Sequence, residues 1–359
     1  MPADSTRGTR RPYAARRVTP APAEGDPQRS GDPWMRHMRR GDFAAAWRLC
    51  DATLRARRGV PCWHLPRHQQ YLWDGTPLAG RRVLVHCYHG LGDTLQFSRY
   101  LPVVASVARQ VSVWAQPKLL PLLATLPAPL RLLPLHDGEP GVDRDVDVEI
   151  MELPHVFRST LQTLPATVPY LHASPARLDT PQPRVGLVWR AGEWDDSRSV
   201  PFAALRPLVE LPVSWYVLQG EPGLAERPDG FGIPAGTTDL LEAARAVRAL
   251  DLVITIDSMA AHLAGALGTR VWTMLSAAPD WRWMDQGERS PWYPTMRLFR
   301  QERPGDWTSV VERVASALTS VLDDPGLARR GESQHRQGDG ERHEHRQREQ
   351  EHVLERARR

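Results

Sequence analysis

Sixteen residues constrain this chain more than any other stretch: Val253-Ile254-Thr255-Ile256-Asp257-Ser258-Met259-Ala260-Ala261-His262-Leu263-Ala264-Gly265-Ala266-Leu267-Gly268. Four strand formers stop at Asp257-Ser258, and small and apolar residues then run to Gly268, a natural helix stop. A buried strand that feeds directly into a helix belongs to an α/β sheet. The free N–H groups and positive dipole end of that helix face whatever lies beyond the sheet edge, so the turn is suited to cradling a diphosphate.

A second junction of this kind precedes it. Arg81–Tyr88 reads as a buried strand, His89-Gly90-Leu91-Gly92-Asp93 as its turn, and about Thr94 to Ala108 as the helix. The glycines let the backbone turn sharply and approach a ligand. Leu95 stands where a dinucleotide fingerprint needs its third glycine, so no nicotinamide or flavin site is indicated. Strands are expected at Val111–Ala115, Leu130–Leu135 and Val146–Met151, with helices near Leu119–Leu126 and Val156–Leu164. The Pro-rich stretch Ala173–Pro183 reads as a linker. A second alternating set opens at Arg184–Trp189. It continues with a helix at Phe202–Val209, a strand at Trp215–Leu218, a helix at Leu240–Ala249, the central junction, a strand at Arg270–Leu275, an aromatic loop at Pro279–Pro294 and an amphipathic helix at about Trp307–Leu322. That helix carries a Ser309…Glu312 capping-box pattern. Two such halves predict two parallel sheets facing a cleft, with ligands outside the carboxyl ends of the strands.

The flanks are different in kind. Residues 1–33 are rich in Arg, Pro, Ala and Gly and read as disordered, and the charged, Gln-rich tail 326–359 reads as solvated. Residues 1–33 hold six Arg against four acids and residues 329–359 nine Arg against seven, so the net charge of +4 belongs to the ends and residues 34–328 are neutral. The basicity therefore gives no nucleic-acid surface. Tail histidines His335, His343, His345 and His352 lack the regular spacing of metal ligands. Cys50, Cys62 and Cys87 lack it too, and an odd number without a signal peptide predicts reduced thiols in the cytoplasm. No apolar run reaches the ~18 residues of a spanning helix, which leaves at most peripheral membrane contact. Met35, Met38, Phe43, Trp47, Cys50 and Leu54 recur at helical spacing in the segment 34–80, with Arg40-Gly41-Asp42-Phe43 as a turn: a helical cap, or a remnant tetratricopeptide-like repeat that docks a partner.

Together His89–Phe97, Arg184–Trp189 with Arg198-Ser199-Val200-Pro201, and Asp257–Gly268 resemble glycosyltransferase family 9, the ADP-heptose:lipopolysaccharide heptosyltransferases. Pro279-Asp280-Trp281-Arg282-Trp283 and Ser290–Pro294 resemble a bacterial subgroup in which that domain follows tetratricopeptide repeats. The resemblance spans about residues 70–322. It implies a GT-B fold, with a Rossmann-like acceptor domain at 81–175 and a Rossmann-like donor domain at 184–325, and inverting sugar transfer with no cofactor and no essential metal. The co-substrate would be a nucleotide sugar, ADP-heptose by default, and the acceptor a glycan such as the lipopolysaccharide core, a lipid-linked glycan or a protein. The setting would be the cytoplasm or the inner face of the inner membrane. Residue by residue, Asp93 falls on the catalytic base, Arg198 near the phosphate-binding lysine, Ser258, Met259, Ala260, Ala261 and His262 on the diphosphate loop, and Asp257 on an acidic position used toward the sugar. His89, Gly90, Gly92, Trp189 and Arg190 would line the loops near donor and acceptor.

Each of these residues also has a bland role: Asp93 and Ser258 as helix caps, His262 as a packed histidine, the tryptophan loop as core or interface. Met259 departs from the family, which commonly has glycine there. Asp143-Arg144-Asp145 has the spacing of a metal-dependent transferase motif, but reads as a loop entering a strand. Rival functions on the same fold are a non-catalytic scaffold and a nucleotide-sugar epimerase or hydrolase.

Overall fold

In a computed structural model of the protein, residues 32–62, 64–192 and 196–323 are described. The expected disordered stretch 1–33, except its last two residues, and the tail 326–359 lie outside them. The described residues open with α1 (Pro33–Arg39) and α2 (Phe43–Arg57), capped by the carboxylates of Asp32 and Asp42. The first unit contains β1 (Arg82–His86), α3 (Leu91–Phe97), α4 (Leu101–Val107), β2 (Gln110–Ala115), α5 (Leu120–Leu123), β3 (Leu130–Pro134), β4 (Val146–Glu149) and α6 (Leu153–Val156). The second contains β5 (Arg184–Leu187), α7 (Arg206–Val209), β6 (Ser214–Val217), β7 (Ile233–Pro234), α8 (Leu240–Arg248), β8 (Leu252–Ile256), α9 (Met259–Ala266), β9 (Val271–Leu275), β10 (Met296–Arg300) and α10 (Trp307–Asp323).

Both sheets are parallel, in the orders β3-β2-β1-β4 and β10-β9-β8-β5-β6-β7. In the first, the chain steps outward from β1 and returns on its other side at β4. In the second it steps outward from β5 and returns at β8. The two places where strand order reverses are therefore β1/β4 and β5/β8, and these are where loops at the carboxyl ends part to leave a crevice. Central strands β8 and β9 are buried at every position, as apolar runs covered on both faces must be.

One hydrophobic core runs from Met38, Phe43 and Trp47 through the first sheet and on to Val253, Ala261, Trp283 and Trp292 on the inner face of the second. A separate core under α7 and α10 covers that sheet's outer face. The N-terminal helices are part of this body. Phe43 stacks on Trp292, Trp47 Nε1 donates to the Ser159 carbonyl at 2.7 Å, and Arg39 donates to the Pro279 carbonyl at 2.9 Å.

Several elements differ from the sequence expectation. The first junction helix begins at Leu91 rather than Thr94, which moves Asp93 into its first turn. The helix expected over Val156–Leu164 is a single turn ending at Val156, and Arg158 takes a positive φ of 51°. Strand β10 and the two-residue β7 lie outside the expected strands; each is formed by pairing with a neighbouring strand, β10 with β9 and β7 with β6. The final helix is capped by Asp306, which accepts from the Ser309 amide at 3.1 Å, and not by a Ser309…Glu312 box. Asp145 and Asp143 pair with Arg82 at the amino end of β1, so the D-x-D spacing closes a loop onto the sheet edge opposite the junctions.

Candidate active site

The two junctions meet. Helices α3 and α9 lie against each other, and a Cβ added to Gly92 would fall 2.9 Å from His262 Cδ2 and 3.5 Å from Met259 Cα. Gly92 thus serves close packing between the two units. Gly90 is the N-cap of α3. Asp93 stands three residues on: its Oδ2 accepts the Gly90 N–H at 2.9 Å, and its Oδ1 accepts from Arg282 Nη2. The side chain remains about a quarter exposed, at 24%. Capping and a chemical role thus coexist in one carboxylate.

Arg282 was not singled out by sequence reasoning. Its Nη1 donates to Asp280 Oδ1 at 2.8 Å, and the guanidinium lies over the rings of Trp281 and Phe97. The signal available was an arginine set between two tryptophans, a charge held where its neighbours bury it. The aromatic residues of that loop pack as an interface: Trp281 meets Trp34 and Phe97, and Trp283 and Trp292 are fully buried.

Asp257 follows β8 directly, at 7% exposure. Burial, reinforced by the nearby charge of Asp280, pushes its carboxyl up to about 6, against the pull of Arg198 and Arg282. Arg198 Nη1 donates to the Asp257 carbonyl at 3.2 Å and sits 3.9 Å from its Oδ2. Ser258 is the N-cap of α9, yet its hydroxyl makes no capping bond and instead pairs with Thr255 Oγ1 at 3.2 Å. Ser258, Met259 and Ala260 are half-buried, whereas Ala261 is buried and its N–H is engaged by the Ser258 carbonyl at 3.1 Å. The part-exposed stretch of the turn is therefore Ser258–Ala260. His262 stacks on Trp283 and pairs through Nδ1 with the Tyr293 hydroxyl at 2.9 Å. Burial, helped by three arginines, drives its pKa well below the ordinary range, so the ring is neutral.

The remaining predicted residues divide. His89 lies beside the site, its Nε2 4.0 Å from Glu149 Oε1. Glu149, at the end of β4, is 3% exposed and holds its proton well above the usual carboxylate range, first through burial. It too escaped sequence reasoning, because a lone Glu at a strand end looks like a solvated edge. Trp189 is fully buried against Phe202 in the second unit's outer core, and Arg190 pairs with Glu226 and with Asp196 at 3.4 Å. The site thus sets three carboxylates (Asp93, Asp257, Asp280) and two guanidiniums (Arg198, Arg282) around the first turn of α9.

No family model matches the chain. Protein FlbA of Caulobacter vibrioides is 27% identical over 288 residues, covering 68% of this chain and 48% of FlbA. The chain spans about half the length of that curated relative. Among solved structures, a family 9 glycosyl transferase from Veillonella parvula is similar at a TM-score of 0.51 and 14% identity, covering 69% of this chain and 98% of that one. An ADP-heptose lps heptosyltransferase II from E. coli is similar at a TM-score of 0.45 and 13% identity, covering 68% and 99%. The Veillonella likeness shows the fold: two parallel α/β sheets in the GT-B arrangement, in accord with the resemblance carried by the motifs.

Proposed function

We propose that this chain is an inverting glycosyltransferase that uses a nucleoside-diphosphate sugar and needs no metal. One observation carries the reading: a part-exposed carboxylate, Asp93, lies beside the first turn of α9, at adjoining carboxyl ends of β1 and β8 where strand order reverses. In the reaction the acceptor hydroxyl loses its proton to Asp93 as its oxygen bonds to the anomeric carbon. The bond from that carbon to the diphosphate oxygen breaks on the opposite face, and the leaving group takes the electron pair. Its growing charge is met by the Ser258–Ala260 turn and Arg198, whose help strengthens as the bond breaks. Arginine in place of lysine retains this role, since its fork grips two phosphate oxygens at once.

ADP-heptose is the first donor to test, supported by the motif resemblance. The acceptor class that goes with it is a glycan such as the lipopolysaccharide core, a lipid-linked glycan or a protein, met in the cytoplasm or at the inner membrane face. Among the described residues no helix is long and apolar enough to cross a membrane. Thermal unfolding against nucleotide sugars with EDTA present tests the proposal, because a donor at about 100 times its Kd adds about 2.7 kcal/mol of stability. A shift with one donor supports a nucleotide-sugar site that binds without metal, and no shift with any donor sinks the proposal. The engagement of both Asp93 oxygens favours one rival, a scaffold on the same fold, which donor binding without turnover across acceptors would reveal.

A further inference from the structure

We infer that Arg282 is a donor-diphosphate ligand that masks Asp93 until the donor arrives. The inference rests on the transferase reading. Arg282 bridges Asp93 in the first unit and Asp280 in the second through different Nη atoms, while its buried Nε has no hydrogen-bond partner among the described residues. The side chain is 10% exposed, so this N–H is shut away from water. Its charge also acts on Asp257 and on His262, the residues on either side of the α9 first turn. The guanidinium therefore bonds the base and lies within electrostatic reach of the residues that flank the cradle.

A phosphate offers the fork two oxygens in the geometry it matches best, whereas Asp93 takes a single Nη2 bond. A diphosphate seated at Ser258–Ala260 competes for Arg282 and releases Asp93 Oδ1. The freed oxygen then points its lone pairs at an acceptor hydroxyl. Donor binding and base release become one equilibrium, and linkage makes the coupling reciprocal. Anything that removes the carboxylate's hold on Arg282 must tighten diphosphate binding.

That reciprocity gives the test. Binding of ADP, GDP and UDP to the full chain is measured by calorimetry for wild type, R282K, R282A, D93N and R282A/D93N, with folding of each checked by its melting curve. The expected results are at least a tenfold loss of nucleoside-diphosphate affinity in R282A, about 1.4 kcal/mol, a smaller loss in R282K, and at least a threefold gain in D93N that vanishes in the double variant. Loss of the Asp93 charge by itself favours an anion in either background, so a merely structural arginine leaves the D93N gain intact in the double variant. Equal affinity in wild type and R282A or R282K, or an unchanged D93N, overturns the inference and leaves the transferase reading standing. Failure of all three nucleotides to bind wild type overturns both.

Discussion

At the scale of single residues, the site is a set of buried and half-buried charges whose balance is set by position more than by type. Asp93 was legible because the Gly-rich turn after a buried strand matches the motif that carries the family resemblance; on position alone a carboxylate there reads as a helix cap. Arg282 and Glu149 were not, because only the fold brings positions separated by nearly two hundred residues to one point, as Arg282 to Asp93. D93N, which keeps the Gly90 contact but cannot take a proton, is expected to lower kcat by about 10²–10⁴, the worth of general-base catalysis. Near-wild-type turnover in that variant removes the assigned role. Asp257 supplies a pH prediction. Its carboxyl sits at about 6 when folded against an ordinary 3.8, so the folded state binds the proton more tightly. The stability this contributes is complete below about pH 4 and is lost as pH rises through 6. D257N, which never ionises, should gain on wild type across that window by about 3 kcal/mol, since each tenfold difference in proton affinity between the folded and unfolded states is worth about 1.4 kcal/mol. Melting temperatures of the two proteins from pH 4 to 8 check it, and parallel curves refute it.

At the scale of elements, the strand-turn-helix units were read almost in place, because apolar runs of strand length ending in Asp-Ser or Gly-Leu-Gly leave one local solution. Boundaries failed where neighbours decide them. Helix α3 starts three residues early because Gly90, not Asp93, takes the cap, and β10 exists because Met296–Arg300 finds β9 to pair with. What no pattern shows is how closely the elements approach. Gly265 on α9 faces the Tyr293 ring, and an added Cβ would lie 2.4–2.8 Å from three of its carbons. Tyr293 is fully buried and holds His262, so it has little room to yield. Gly265→Ala therefore overpacks the seam despite the better helix propensity of alanine, at a cost of about 1–3 kcal/mol. Denaturant titration checks the sign, and a stabilised variant shows that the seam is loose.

At the scale of the whole molecule, the sequence suggests parts: a repeat-like helical pair, two sheet domains and a Pro-rich linker. The structure joins them, since a single core passes from α1 and α2 through the first unit to the inner face of the second. The joints are particular. Arg99, 3% exposed in the first unit, donates to the Trp292 carbonyl at 2.5 Å in the second, while Phe43 of α2 stacks on the Trp292 ring. Asp51 of α2 holds His155 on α6 and Arg158 just beyond it. A docking repeat would leave its apolar stripe for a partner, but Phe43, Ala46 and Trp47 are buried within this chain. Helices α1 and α2 accordingly hold the aromatic loop that carries Arg282 against the Asp93 junction. Phe43→Ala removes a buried ring at that seam and is expected to cost about 3–5 kcal/mol. Because the core is shared, the loss should lower the one melting transition of the whole chain rather than release the helical pair alone. Calorimetry distinguishes the outcomes: a single endotherm moved down by about 10 °C, at roughly 2–4 °C per kcal/mol, fits a shared core. A second, earlier endotherm with the main one unmoved would make the N-terminal pair a separate unit, and the register of Arg282 on Asp93 would then need another support.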